Sequence, residues 1–198
     1  LWDKYPVEQV ATPEGYARNP ELVINFYNER RKQLLDVVPN AGHLGVADLE
    51  RDFNVTVVTQ NVDNLHERAG STHVIHLHGE LTKVCSSRDP YNPHFVKELA
   101  PEEYEVKLGD KAGDGTQLRP FIVWFGESVP EIETAIRYVE QAAIFVIIGT
   151  SLNVYPAAGL LNYVPRAAEV YLIDPKPVDT HVMRPIHVIQ KGASEGVK

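Results

Sequence analysis

Apolar residues follow two rhythms along this chain, and the changes between them divide it. Short apolar runs at 55–58 and 74–77 read as buried strands, as do 121–124, 144–148, 169–173 and 185–189. A second rhythm comes earlier, where Leu22, Phe26, Tyr27, Leu34 and Val38 recur at roughly helical spacing. The other face of that helix carries Glu29, Arg31 and Lys32. Asn19 suits an N-cap and Pro20 the first helical position, while Pro39 ends the helix. Further helices are expected near 41–51, 130–143 and 157–164. Strands alternating with helices imply an α/β fold with a doubly wound parallel sheet. Residues 83–119 break both rhythms, with Pro90, Pro93, Pro101, Gly109, Gly113 and Gly115 among dense charge. That stretch reads as an insertion of loops and short elements, long enough to suspect function or a small subdomain.

The first two strands stop abruptly in polar side chains. Thr59, Gln60, Asn61 and Asp63 follow one, and His78, Gly79 and Glu80 follow the other. Ligands of open α/β sheets bind beyond the carboxyl ends of the strands. Two amides, a carboxylate and an imidazole delivered there mark a site. Gly149, Thr150 and Ser151 follow the strand at 144–148. Glycine admits close backbone approach, and the hydroxyls and amides of such a turn can hold phosphate or ribose oxygens. No Gly-x-Gly-x-x-Gly run exists, so the ordinary dinucleotide fingerprint is absent. His76 and His78 alternate on one strand, and with Asp63 they could chelate a metal. That reading leaves Gln60, Asn61 and the Gly-Thr-Ser turn without a purpose. His43, His66 and His76 are expected to be structural, and Trp124 to serve packing.

Charge narrows the partners. A formal net charge of -8 argues against sequence-independent binding to nucleic acid and favours a basic peptide. The single cysteine, Cys85, allows no internal disulfide and suits a reducing, cytoplasmic setting. No apolar run approaches the ~20 residues of a membrane span. The chain is expected to act as a monomer away from membranes. It begins at Leu1 and its only methionine is Met183, so it is read as a piece of a longer chain.

Five motifs in order resemble those of the sirtuins, NAD-dependent protein lysine deacylases. They are residues 59–66 (Thr-Gln-Asn-Val-Asp-Asn-Leu-His), His78-Gly79-Glu80, Val123-Trp124-Phe125-Gly126-Glu127, Gly149-Thr150-Ser151 with Val154 and Pro156, and Gly192-Ala193-Ser194-Glu195-Gly196. The resemblance implies a Rossmann-like NAD-binding domain at 39–82 and 120–198. It implies a small domain made of a helical module, 1–38, and the loop-rich insertion, 83–119. His78 would be the general base acting on a ribose hydroxyl. Asn61 and Asp63 would hold the nicotinamide carboxamide, and Gln60 would contact ribose. Gly149, Thr150 and Ser151 would line the phosphate and ribose path, with Ala193 near the adenine. Val123, Phe125, Gly126 and Glu127 resemble the strand that pairs with the substrate peptide. In the family mechanism the acyl oxygen attacks the ribose carbon as nicotinamide leaves, giving free lysine and O-acyl-ADP-ribose.

The chain also departs from the family. Most sirtuins bind a structural zinc through four cysteines in the segment matching 83–119, whereas here only Cys85 remains. One thiolate cannot supply a tetrahedral site, so no metal is expected. Nothing matches the family's opening Gly-Ala-Gly-Ile-Ser loop for NAD phosphates. Tyr27 and Arg30 stand three apart on one helix face, resembling the Tyr-x-x-Arg pair of the bacterial desuccinylase/deacetylase-like type. Ala11 matches the small upstream residue that widens the acyl pocket. Guanidinium and phenol together suit the carboxylate of a malonyl or succinyl group. The alternatives are an NAD or ADP-ribose-binding module without turnover, and a metal-dependent hydrolase using His76, His78 and Asp63.

Overall fold

The computed structural model describes residues 4–150 and 152–198. Its first half runs α1 (Val7–Val10), α2 (Pro13–Arg18), α3 (Pro20–Leu35), α4 (Ala41–Asp48), β1 (Val57–Thr59), α5 (Leu65–Ala69) and β2 (Val74–His76). Then come β3 (Gly79–Ser86), β4 (Lys97–Glu98), β5 (Leu118–Ile122), α6 (Ile132–Val139), β6 (Ile144–Ile148), β7 (Glu169–Ile173), β8 (His187–Ile189) and α7 (Ala193–Gly196). Residues 157–164, expected as a helix, form a 3-10 helix at Ala157–Tyr163.

The chain separates into two units. One comprises Leu1–Val37, Asn61–Asn64 and His78–Pro130; the other Val38–Gln60, Leu65–Leu77 and Glu131–Lys198. Within the first, β3 starts at Gly79 and pairs antiparallel with β5 as far as Ile122, stitching the His-Gly turn and residues 120–122 to the insertion. The stretch read in sequence as loops and short elements contributes to a three-stranded antiparallel sheet, ordered β4-β3-β5.

Within the first unit, α3 starts as its caps dictate, with the Asn19 side chain accepting the Leu22 N–H at 3.1 Å and Pro20 opening the helix. It buries Val23, Ile24, Phe26, Tyr27 and Leu34, but also Asn28 and Arg31. Arg31, assigned by periodicity to the solvent face, is 4% exposed. Its guanidinium donates to the carbonyls of Tyr104 and Leu81 and to Asn28 Oδ1. Asn28 in turn pairs both backbone groups of Val106, at 2.8 and 2.9 Å. A buried cation is tolerable only when its donors are satisfied in this way. The helix thus clasps the insertion through polar groups that periodicity reads as solvated.

The second unit is parallel throughout. β1 pairs β2 from Val57↔Val74 to Thr59↔His76, and β6, β7 and β8 pair in that order. Val170, Leu172 and Ile173 of the central strand are buried, as expected for a strand flanked on both sides. Among the described residues no helix is long and apolar enough to cross a membrane.

Candidate active site

In the first unit, two polar segments hang on β3. The Leu81 N–H donates to the Val62 carbonyl at 2.7 Å, which anchors the loop carrying Asn61 and Asp63. The His78 carbonyl accepts the Val123 N–H at 2.9 Å. Gly79 follows at φ +87°, where an added Cβ would collide with the Phe121 carbonyl oxygen. No other residue fits that approach, so glycine fixes how His78 leaves the strand. Asn61 is exposed, while Asp63 and His78 are half-buried. Backbone bonds therefore tie the segments carrying the Asn61 amide, the Asp63 carboxylate and the His78 imidazole to one sheet.

The acyl-side residues lie in the same unit. Arg30 is half-buried, its guanidinium 5.8 Å from the Phe26 ring centroid and 6.0 Å from that of Tyr27. Burial lowers its pKa, while the Tyr27 phenol and Asp63 act in the opposite sense. Tyr27 is 1% exposed, and burial pushes its phenol up to about 12. Trp124 Nε1 donates to the Tyr27 hydroxyl at 3.1 Å. Ala11 is buried, and its carbonyl accepts the Phe125 N–H at 3.0 Å.

Residues 123–127 depart from the expected strand. β5 ends at Ile122, and the next residues turn, with Gly126 at φ +90° and the Glu127 N–H donating to the Trp124 carbonyl at 3.0 Å. Phe125 is exposed, whereas the Glu127 carboxylate is committed inward. It accepts two Arg119 donors, each at 3.0 Å, and the Trp124 N–H at 2.8 Å. Glu127 thus braces the turn that carries Val123, Phe125 and Gly126. Arg119 is the residue that the sequence reading passes over. It is 4% exposed, lies 3.6 Å from the Trp124 ring centroid, and also donates to the Ile122 carbonyl at 2.7 Å. The available signal was a lone cation in an apolar strand with an acid eight residues on.

In the second unit, Gln60 Nε2 donates to Thr150 Oγ1 at 3.2 Å, joining the polar ends of β1 and β6. The Leu152 N–H donates to the same hydroxyl at 3.3 Å. Gly149 sits at φ +60°, exposed, with open space where a Cβ would stand. Ala193 opens α7 beside Gly42 of α4, where an added Cβ would lie 3.1 Å from the Ala193 Cβ. Ser151 lies outside the described residues. An amide paired with a hydroxyl beside an uncovered glycine is a donor set that fits the ribose and phosphates of NAD.

His76 bonds through Nε2 to Glu67, and among the described residues no three His, Cys, Asp or Glu side chains converge. Cys85 is fully buried, and burial pushes its thiol up to about 12. Beside it, the buried Ser86 hydroxyl donates to Asp114 at 2.6 Å and accepts the Arg88 and Asp89 N–H groups. Thr116 completes the knot through its hydroxyl and N–H, both donated to Asp114.

This geometry has close relatives. A profile of the Sir2 family matches residues 1–156. The chain is 83% identical over 198 residues to an NAD-dependent protein deacylase of Bacteroides thetaiotaomicron, covering all of this chain and 85% of that protein. It is 47% identical over 193 residues to one of Helicobacter pylori, covering 98% and 82%. Among solved structures, a Sir2 homologue in complex with NAD superposes with a TM-score of 0.85 at 36% identity, covering all of this chain and 77% of that one. A Sir2 protein bound to a propionylated peptide gives 0.80 at 26% identity, covering 98% and 82%.

Proposed function

The chain belongs to the Sir2 family, and we propose that, as an NAD-dependent protein lysine deacylase, it removes succinyl and malonyl groups as well as acetyl groups. NAD supplies the leaving nicotinamide and the ribose that receives the acyl group. With one water the balance closes: acyl-lysine and NAD give lysine, nicotinamide and O-acyl-ADP-ribose. The protein's part is positioning and proton movement. Asn61 offers the carboxamide a donor and an acceptor, and Asp63 offers acceptors only. His78 takes a ribose hydroxyl proton, a task matched to an imidazole near neutral pH. Gln60, Gly149, Thr150, Ser151 and Ala193 are assigned to the nucleotide, and Val123, Phe125 and Gly126 to the peptide backbone.

The observation that carries the acyl reading is Arg30, a half-buried guanidinium on the face of α3 that also presents Tyr27. Its planar guanidinium can offer paired donors to a terminal carboxylate, which an acetyl group lacks. Arg30→Met is therefore expected to lower the ratio of kcat/KM for succinyl-lysine over acetyl-lysine peptide roughly tenfold to a hundredfold. An unchanged ratio would remove Arg30 from acyl recognition. Acyl-lysine peptides and proteins are the partners, and we read the chain as a cytoplasmic monomer that neither nucleic acid nor membrane engages.

A further inference from the structure

Trp124, 2% exposed, is a buried aromatic group outside the assigned chemistry. Arg119 lies on its ring at 3.6 Å, and Glu127 grips both that guanidinium and the Trp124 N–H. The indole is thereby fixed from behind. Its one polar atom can only donate, and it donates to the Tyr27 hydroxyl. That hydroxyl can accept from Trp124 and still donate its own proton. Among the described residues its proton meets no acceptor. With its acceptor side filled by the indole, the hydroxyl keeps its proton for an incoming acceptor.

We propose that Trp124 is a positioning residue for acyl selectivity: its indole N–H fills the acceptor side of the Tyr27 hydroxyl and so directs that hydroxyl's proton to the carboxylate of an acidic acyl group. The inference rests on the acyl reading of Tyr27 and Arg30 given above. Without the indole the hydroxyl could rotate, and its donor would no longer be pre-aimed. The phenol's raised pKa is in keeping with this, since the group stays protonated and remains a donor. Arg119 and Glu127 act one step further back, by holding the indole plane.

The test is Trp124→Phe, which keeps an aromatic ring for Arg119 and removes the indole N–H together with the pyrrole part of the ring. The readout is the succinyl-to-acetyl ratio of kcat/KM, together with KM for the succinyl-lysine peptide. Loss of one aligned neutral hydrogen bond should lower the ratio roughly three- to tenfold, mainly through KM. In a Tyr27→Phe background the same substitution should lower it no further. A ratio that falls in Arg30→Met but not in Trp124→Phe overturns the role of Trp124 and leaves the acyl reading standing. A ratio unmoved in Arg30→Met and Tyr27→Phe overturns both. Should Trp124→Phe not fold, the unsubstituted protein serves. Of its two tryptophans, Trp2 and Trp124, the Trp124 indole N–H resonance should shift more with succinyl-lysine than with acetyl-lysine peptide. Equal shifts overturn the proposal.

Discussion

The parallel strands β6, β7 and β8 and the antiparallel strands β3, β4 and β5 are held in opposite ways. In the parallel sheet five consecutive pairs run from Ile144↔Glu169 to Ile148↔Ile173, and its central strand is a nearly unbroken apolar run. Ladder bonds and the burial of Val170, Leu172 and Ile173 hold its centre. In the antiparallel sheet the register shifts between Gly79 and Val84, and buried polar side chains take over. Asn28 and Arg31 clasp one side, Ser86, Asp114 and Thr116 knot another, and Arg119 with Glu127 braces the turn after β5. Single substitutions therefore weigh differently in the two sheets. Apolar ladders distribute their stability, whereas a buried polar network concentrates it, since each lost partner strands another group. His78, Arg30 and Asp63 all belong to the polar-stapled unit.

The largest effect that sharpens this contrast is catalytic. His78→Ala should lower lysine deacylation by ~10²–10⁴-fold while leaving the far-ultraviolet circular dichroism unchanged. Full activity would mean that another group takes the ribose proton.

Next comes stability. Asn28→Ala strands the buried N–H and carbonyl of Val106 and one Arg31 contact, so urea denaturation should show a loss of at least about 2 kcal/mol. The matched change on the parallel sheet is Tyr171→Phe, which removes only an exposed bond to Glu169. It should stay within about 0.5 kcal/mol. Equal losses would break the comparison.

The two halves were also unequally legible in sequence. Strands 144–148 and 169–173 and the Asn19 cap formed at the expected residues, because local apolar runs and caps encode them directly. The residues of the candidate site stand out because they cluster at strand ends in contiguous motifs. The polar staples were not legible. Asn28 meets Val106 across 78 residues, Arg31 meets Leu81 across 50, and Trp124 meets Tyr27 across 97. No local pattern reports such partners, so Arg31 read as solvated and Trp124 as packing alone. The antiparallel sheet was hidden for a related reason: β4 has two residues, and its neighbours are rich in proline and glycine.

The smallest effect is a pH dependence at the Ser86 knot. Hydrogen bonds from Ser86 and Thr116 hold the Asp114 pKa down, to about 2 from 3.8. A depressed folded-state pKa contributes stability that is present above the unfolded value and lost as pH falls through the folded one. Asp114→Asn should therefore lower Tm modestly at neutral pH, and the gap should close between about pH 4 and about pH 2. A gap that is constant across that range would assign the loss to geometry rather than charge.

The central claim is that NAD-dependent deacylation here is directed at acidic acyl groups. It is tested most directly by competition: equimolar succinyl-lysine and acetyl-lysine peptides of one sequence, with NAD, followed by mass spectrometry. The account predicts that succinyl peptide is consumed first, with one nicotinamide and one O-succinyl-ADP-ribose formed per lysine freed. Preferential loss of acetyl, or deacylation that proceeds without NAD, would contradict it.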